Sequence, residues 1–238
     1  LKHLLKQDTN DKNYPWEFIV FALKESQYFK FHKINHPATE LKSKGTSVLN
    51  WRLLDFYNKI LFKKNNFINQ NFIRILVKIH QKPSGLLMDE FNTRSLQYHN
   101  FSLLLLLKIY EKDQQVKWLK KKIQLAMQFS LDNIFSDGTS QFIGRGQEQI
   151  FGYGSLIASI KLFEKLLGDN FDNQLNLLVD KIISHQKSNG FIPLVLRSEN
   201  ILENISNYSS DKDLGGWYSY NSTFDYLPFL GYCLLQNI

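Results

Sequence analysis

The chain has 238 residues, 43% of them hydrophobic, with 12 glycines, 5 prolines and one cysteine. That is enough apolar material for a full core, and it argues against disorder, a collagenous or turn-rich β architecture, a disulfide framework and a Cys-rich zinc site. Twenty-nine basic and 22 acidic residues leave a net charge of +7, which favours an anionic partner, although a composition rich in Lys, Asn and Ile produces the same balance by itself.

Unbroken apolar runs are short, as at residues 103–107, so no membrane span is expected. Residues 1–8 carry neither a long apolar stretch nor a small-residue cleavage site, so no signal peptide is read there. A single cysteine suits the cytoplasm and the periplasm alike.

Most segments repeat with helical period. The first helix is expected at about 14–31, opening on Tyr14 and Pro15, since proline suits a first turn. The second, at about 46–62, carries Leu49, Leu53, Phe56, Tyr57 and Ile60. The third (about 67–81) carries Phe72, Ile73, Leu76 and Val77, and the fourth (about 95–112) carries Leu96, Leu103, Leu106 and Tyr110. The fifth spans about 114–134, the sixth about 145–167 and the seventh about 171–187. Gly168 stands where a left-handed residue ends a helix. The last spans about 216–236, with a kink expected at Pro228. The apolar segment at 191–196 contains Pro193, which demotes it to an edge strand or extended loop.

The organisation repeats. Gln81-Lys82-Pro83-Ser84-Gly85-Leu86 and Gln186-Lys187-Ser188-Asn189-Gly190-Phe191 share one pattern, and Gly138 falls between them at intervals of 53 and 52 residues. Each interval holds a loop and two helices, the mark of stacked helical hairpins. The long loops after these glycines favour an α/α toroid over an open solenoid. The expected fold is therefore all-α, one domain over 1–238, an incomplete or truncated α/α toroid of repeated hairpins. Its inner helices are those at about 46–62, 95–112, 145–167 and 216–236.

Three segments carry candidate chemistry. Residues 137–154 concentrate five glycines and a polar set at a helix start. There Arg145, Gln149 and Tyr153 are four apart and are expected on one helix face, with Glu148 beside them. Residues 94–102 place His99 between Tyr98 and Asn100, a combination able to form an acid–base pair. Residues 215–226 pack Trp217, Tyr218, Tyr220 and Tyr226 with Asn221 and Asp225. Aromatic faces of this kind stack on sugar rings, while amide and carboxylate groups fix hydroxyls. Trp16, Trp51 and Asp55 lie near earlier helix starts, and Asp89 and Glu90 are further carboxylates. Each group has a plainer alternative as surface charge, a satisfied histidine or an aromatic core cap. There is no Walker A loop, no dinucleotide-binding glycine pattern after a strand, no nucleophile elbow and no metal-ligand motif. Neither a cofactor nor a metal is expected, nor a nucleic-acid partner.

On Tyr98-His99-Asn100, Asp137-Gly138 with Gly144-Arg145-Gly146-Gln147, and Trp217-Tyr218-x-Tyr220-Asn221, the chain resembles the α/α-toroid carbohydrate-active enzymes. These include the heparinase II/III and alginate lyase group and the unsaturated-glucuronyl hydrolase group. The resemblance implies a bacterial enzyme acting on an acidic polysaccharide or oligosaccharide, with β-elimination favoured. His99 then acts as base and Tyr153 as its acid or base partner, while Arg145, Gln149 and Asn100 neutralise the uronate carboxylate. Tyr98, Gln147, Trp217, Tyr220, Asn221 and Asp225 hold the substrate. The alternatives are a toroid hydrolase using Glu148 with Asp225 or Asp89, and a non-catalytic helical-repeat module binding glycan or protein on a concave face.

Overall fold

The computed structural model describes residues 47–61, 67–91, 93–112, 117–196 and 223–235. The helix expected at 14–31 lies outside them. Seven helices are described: α1 (Leu49–Leu61), α2 (Phe67–His80), α3 (Leu96–Lys112), α4 (Lys117–Asp132), α5 (Ile150–Leu167), α6 (Asp172–Ser184) and α7 (Thr223–Leu234). Among the described residues there is no strand, only four isolated bridges.

Inner and outer helices follow from composition. α3 is apolar almost all round, and 14 of its 17 residues are buried, so it can only sit inside. α5 has the same character. α4 buries Leu119, Ile123, Ala126, Met127 and Ser130, a single stripe at helical spacing, and α6 buries only Leu178 and Ile182, four apart. Those two helices therefore cover the core from one side. Packing is most extensive between α3 and α5, then α5 and α7, then α1 and α3, so the inner helices form one continuous row. An aromatic group ties this row together: Phe151 stacks on Phe229 and Tyr226, and Phe101 meets both Phe151 and Phe229.

The glycine repeat is one turn built three times. The N–H groups of Lys82, Phe135 and Lys187 donate to the carbonyls of Leu86, Thr139 and Phe191, and those of Gly85, Gly138 and Gly190 donate back to Lys82, Phe135 and Lys187. All three glycines have positive φ. Gly85 and Gly138 also press on the outer helix of the following hairpin. A Cβ there would lie 2.2 Å from the Leu125 and Leu177 carbonyl oxygens, themselves one repeat apart.

A second repeated contact positions the site. The first amide of each inner helix has no partner within its own helix. Leu49, Leu96 and Ile150 donate instead to the carbonyls of Asp89, Ile143 and Leu194 in the loop of the next hairpin, at 2.8, 3.1 and 2.9 Å. Each loop is thus pinned over the helix start of the hairpin before it. Residues 191–196 are the extended loop that Pro193 implied, held by the Gln149–Val195 bridge. α7 runs through Pro228, and Gly168 ends α5 in the left-handed conformation.

Candidate active site

The loops at 81–95, 133–149 and 185–196 gather over the N-terminal ends of α1, α3 and α5. Asp89 lies where the first of these loops meets the start of α1 and Arg145 of the second, and it is 0% exposed. One of its oxygens accepts a hydrogen bond from Asn50 Nδ2, and the other pairs with Arg145 Nη2. The Arg145 side chain is 21% exposed, and its guanidinium lies 4.8 Å from the Tyr98 ring centroid. Burial pushes the Asp89 carboxyl up to about 6. The Arg145 charge opposes that rise without cancelling it, and the Glu90 charge adds to it.

Arg145 does not share a helix face with Gln149 and Tyr153. The helix begins at Ile150, not near 145, because Gly144, Gly146 and Glu148 all have positive φ and fold the chain into a turn. Gly144 presses on the Arg94 carbonyl, and Ser95 Oγ donates to the Arg145 carbonyl at 2.7 Å, so this turn is fixed to the start of α3. Gln149 is the N-cap residue of α5, and its side chain makes no capping bond.

Below the turn, the Tyr153 hydroxyl donates to Glu148 Oε2 at 2.8 Å and accepts from the Ser140 N–H at 3.4 Å. Burial holds the phenol well above its usual range, and the Glu148 charge reinforces this. Tyr153 is therefore a fixed, protonated donor.

His99 is displaced from its expected role. It is 0% exposed. Its Nδ1 accepts the Leu87 N–H at 2.9 Å, which leaves the proton on Nε2, 2.9 Å from Ser130 Oγ. Ser130 donates to Asn100 Oδ1, Asn100 to Gln141 Oε1, and Gln141 to Ser140 Oγ. This is a one-way chain of donors joining α3, α4 and the 133–149 loop. Burial drives the imidazole down to about 3, against a weaker opposing bond to the Ala126 backbone. His99, expected as a general base, thus has Nδ1 occupied and no exposure, and it joins these elements together. Asn100, expected among the substrate contacts, is also buried and belongs to the same chain of hydrogen bonds.

Tyr98 and Gln147 are partly exposed at the same end of the molecule as Arg145. Trp51 packs on the core from α1, and Asp55 pairs with Lys59. Trp16, Trp217, Tyr220 and Asn221 lie outside the described residues, as does the Asp225 side chain. Asn50, Gln141 and Ser130 carry much of the geometry without having been singled out. The available signal was a polar residue at a core position of an inner helix or its loop. Among the described residues no group of three or more His, Cys, Asp or Glu residues is arranged to hold a metal, and no helix is long and apolar enough to cross a membrane.

Comparison of this architecture with solved structures is decisive for the fold. The chain matches a glycosyl hydrolase family 88 protein from Bacteroides vulgatus with a TM-score of 0.61, over 92% of this chain and 73% of that one, at 10% identity. The fold is an α/α toroid. A polysaccharide lyase matches with a TM-score of 0.57 at 9% identity, over 87% of this chain, which spans 65% of the lyase. No protein-family model and no curated protein matches the sequence. The toroid thus expresses its hairpins through periodicity and turn glycines, with little shared sequence.

Proposed function

We propose that this toroid is a carbohydrate-active enzyme that hydrolyses an acidic oligosaccharide or polysaccharide at the N-terminal ends of its inner helices. The observation that carries the reading is Asp89, a buried carboxyl held by Asn50 and Arg145 and pushed up to about 6. Such a group keeps a proton into the range where general acids work. Arg145 is the partly exposed partner of the pair and takes the sugar carboxylate, with Tyr98 as its stacking support. The positive ends of three inner helices and the overall charge of +7 favour the same ligand.

In this reading the sugar carboxylate replaces Asp89 on Arg145. Asp89 then donates its proton to the glycosidic oxygen, the C–O bond breaks, and water adds at the anomeric carbon with its proton passing to Glu148. Glu148 is the second carboxylate, oriented by Tyr153. Elimination, favoured in the sequence reading, needs an accessible base at His99 or a readily ionised Tyr153. The His99 imidazole is neutral, but its Nδ1 is taken by the Leu87 N–H and the ring is 0% exposed, while burial keeps the Tyr153 phenol protonated. The solved toroids of similar shape include a glycosyl hydrolase and a polysaccharide lyase, so the fold is compatible with either chemistry.

The test is a panel of acidic and neutral polysaccharides, followed by ultraviolet absorbance and reducing ends together. Reducing ends released from an acidic polymer without new unsaturated products, and lowered about 100-fold by Asp89→Asn, support hydrolysis. Unsaturated products at an unchanged rate in Asp89→Asn would move the assignment to elimination. Binding without turnover would favour a glycan-binding module.

A further inference from the structure

Gln97 is the second residue of α3 and is 1% exposed, yet neither its Oε1 nor its Nε2 has a hydrogen-bond partner. Gln149, equally buried, leaves its Oε1 in the same condition. A buried amide without partners is costly and is rarely kept without a reason. Here the backbone makes room for it. Gly146 has a φ of +80, and a Cβ at that position would lie 2.5 Å from Gln97 Nε2. Gln149 adjoins the same glycine, its N–H donating weakly to the Gly146 carbonyl at 3.4 Å. Both chain neighbours in this contact belong to the Asp89 site: Tyr98 follows Gln97, Arg145 precedes Gly146, and the Arg145 guanidinium lies over the Tyr98 ring.

We propose that Gln97 is a specificity-determining residue that reads a sugar hydroxyl beside the carboxylate taken by Arg145. The inference rests on the hydrolase reading above and names a recognition element within it. The ligand group follows from the chemistry. An amide offers one acceptor and two donors, and a hydroxyl can accept from Nε2 while donating to Oε1. A carboxylate can use only the donor side. Gln149 Oε1 supplies a further acceptor for the same or the next hydroxyl. Gln97 is 1% exposed beneath the 144–149 turn, so contact with a ligand requires that turn to give way against its bond to Ser95.

The experiment compares the unaltered chain with Gln97→Leu and Gln97→Met, by melting temperature and by calorimetric affinity for a glucuronate-containing oligosaccharide and its single-deoxy analogues. Both variants are expected to melt at or above the temperature of the unaltered chain, because a buried unpaired amide is gone. Both are expected to bind the oligosaccharide about 10- to 100-fold more weakly. One deoxy analogue should lose a similar factor on the unaltered chain and nothing further on the variants. A purely structural amide gives a lower melting temperature with unchanged affinity, and that result overturns the proposal, as does equal binding of every analogue by the unaltered chain. Absence of any acidic-sugar binding by the unaltered chain overturns the hydrolase reading together with this one. Binding retained by the variants overturns this one alone.

Discussion

The Arg145 guanidinium bridges two partners at once, the Asp89 carboxylate on one loop and the Tyr98 ring at the start of α3. Asp89 in turn caps α1 through its carbonyl and is held by Asn50 through its side chain. One ion pair therefore locks three consecutive hairpins at the end where a ligand would enter.

The Asp89 carboxyl has a calculable effect on stability. Its folded value of about 6 lies above the free value of 3.8, so the native chain holds a proton that the unfolded chain has released between those limits. The contribution is fully present below about pH 4 and is lost as pH rises through 6. The stability difference between the unaltered chain and Asp89→Asn should fall by about 3 kcal/mol between pH 4 and 7. Urea unfolding at several pH values checks this, and a constant difference would contradict it.

His99 acts with the opposite sign. Its folded value of about 3 lies below the free value of 6.5, so its contribution is full above pH 6.5 and is lost as pH falls towards 3. Burial shifts His80 in the same direction. His99→Gln should weaken the acid sensitivity, visible as a flatter denaturation midpoint below pH 6. The windows of His99 and Asp89 overlap, so the unaltered chain conceals slopes that the two variants expose separately.

His99→Ala should destabilise the chain by about 2–4 kcal/mol by leaving the Leu87 N–H and Ser130 without their partner. Turnover per folded molecule should remain within a few-fold. A loss of several orders of magnitude in a variant that melts normally would restore His99 as the base.

The three turn glycines are equivalent in sequence but not in tolerance. Gly85→Ala and Gly138→Ala place a methyl group against backbone at 2.2 Å, whereas Gly190→Ala meets only the Gln186 side chain at 3.9 Å. All three incur the positive-φ penalty of about 1 kcal/mol. The first two should cost about 3 kcal/mol or more, and thermal melts of the three single variants rank them.

The two glycines inside α5 should also differ. Gly154→Ala gains helix propensity of about 1 kcal/mol, and its Cβ would meet Leu230 Cδ1 at 3.3 Å, a contact a side chain can relax. Gly152→Ala drives into Gln141 Oε1 at 2.4 Å, the acceptor of Asn100 in the His99 chain. Melting curves should show Gly154→Ala near neutral and Gly152→Ala clearly destabilised.

Much of the fold was legible in local pattern. Apolar spacing placed the described helices within a few residues, except at the start of α5 and at the start of the last helix, whose expected beginning near 216 lies outside the described residues, and the glycines at 85, 138 and 190 exposed the hairpin period. Both signals are local: a helix buries a stripe dictated by its own period, and a left-handed turn needs glycine wherever it sits. The start of α5 failed for the same reason. Glu148 adopts a positive φ that only its surroundings impose, so spacing alone put Arg145, Gln149 and Tyr153 on one face.

The sequence by itself determined the helices, their alternation between apolar and amphipathic, and a polar set at the inner helix starts. Tertiary structure alone decided which of those polar residues meet. Asp89 and Arg145 are 56 positions apart and become partners only because each loop is pinned over the preceding hairpin. His99 has the chemistry of a base by residue type, but its burial and the partners of both ring nitrogens are set by packing. Desolvation and long-range hydrogen bonding are properties of the packed chain, and they set the protonation state that separates an acid from a structural joint.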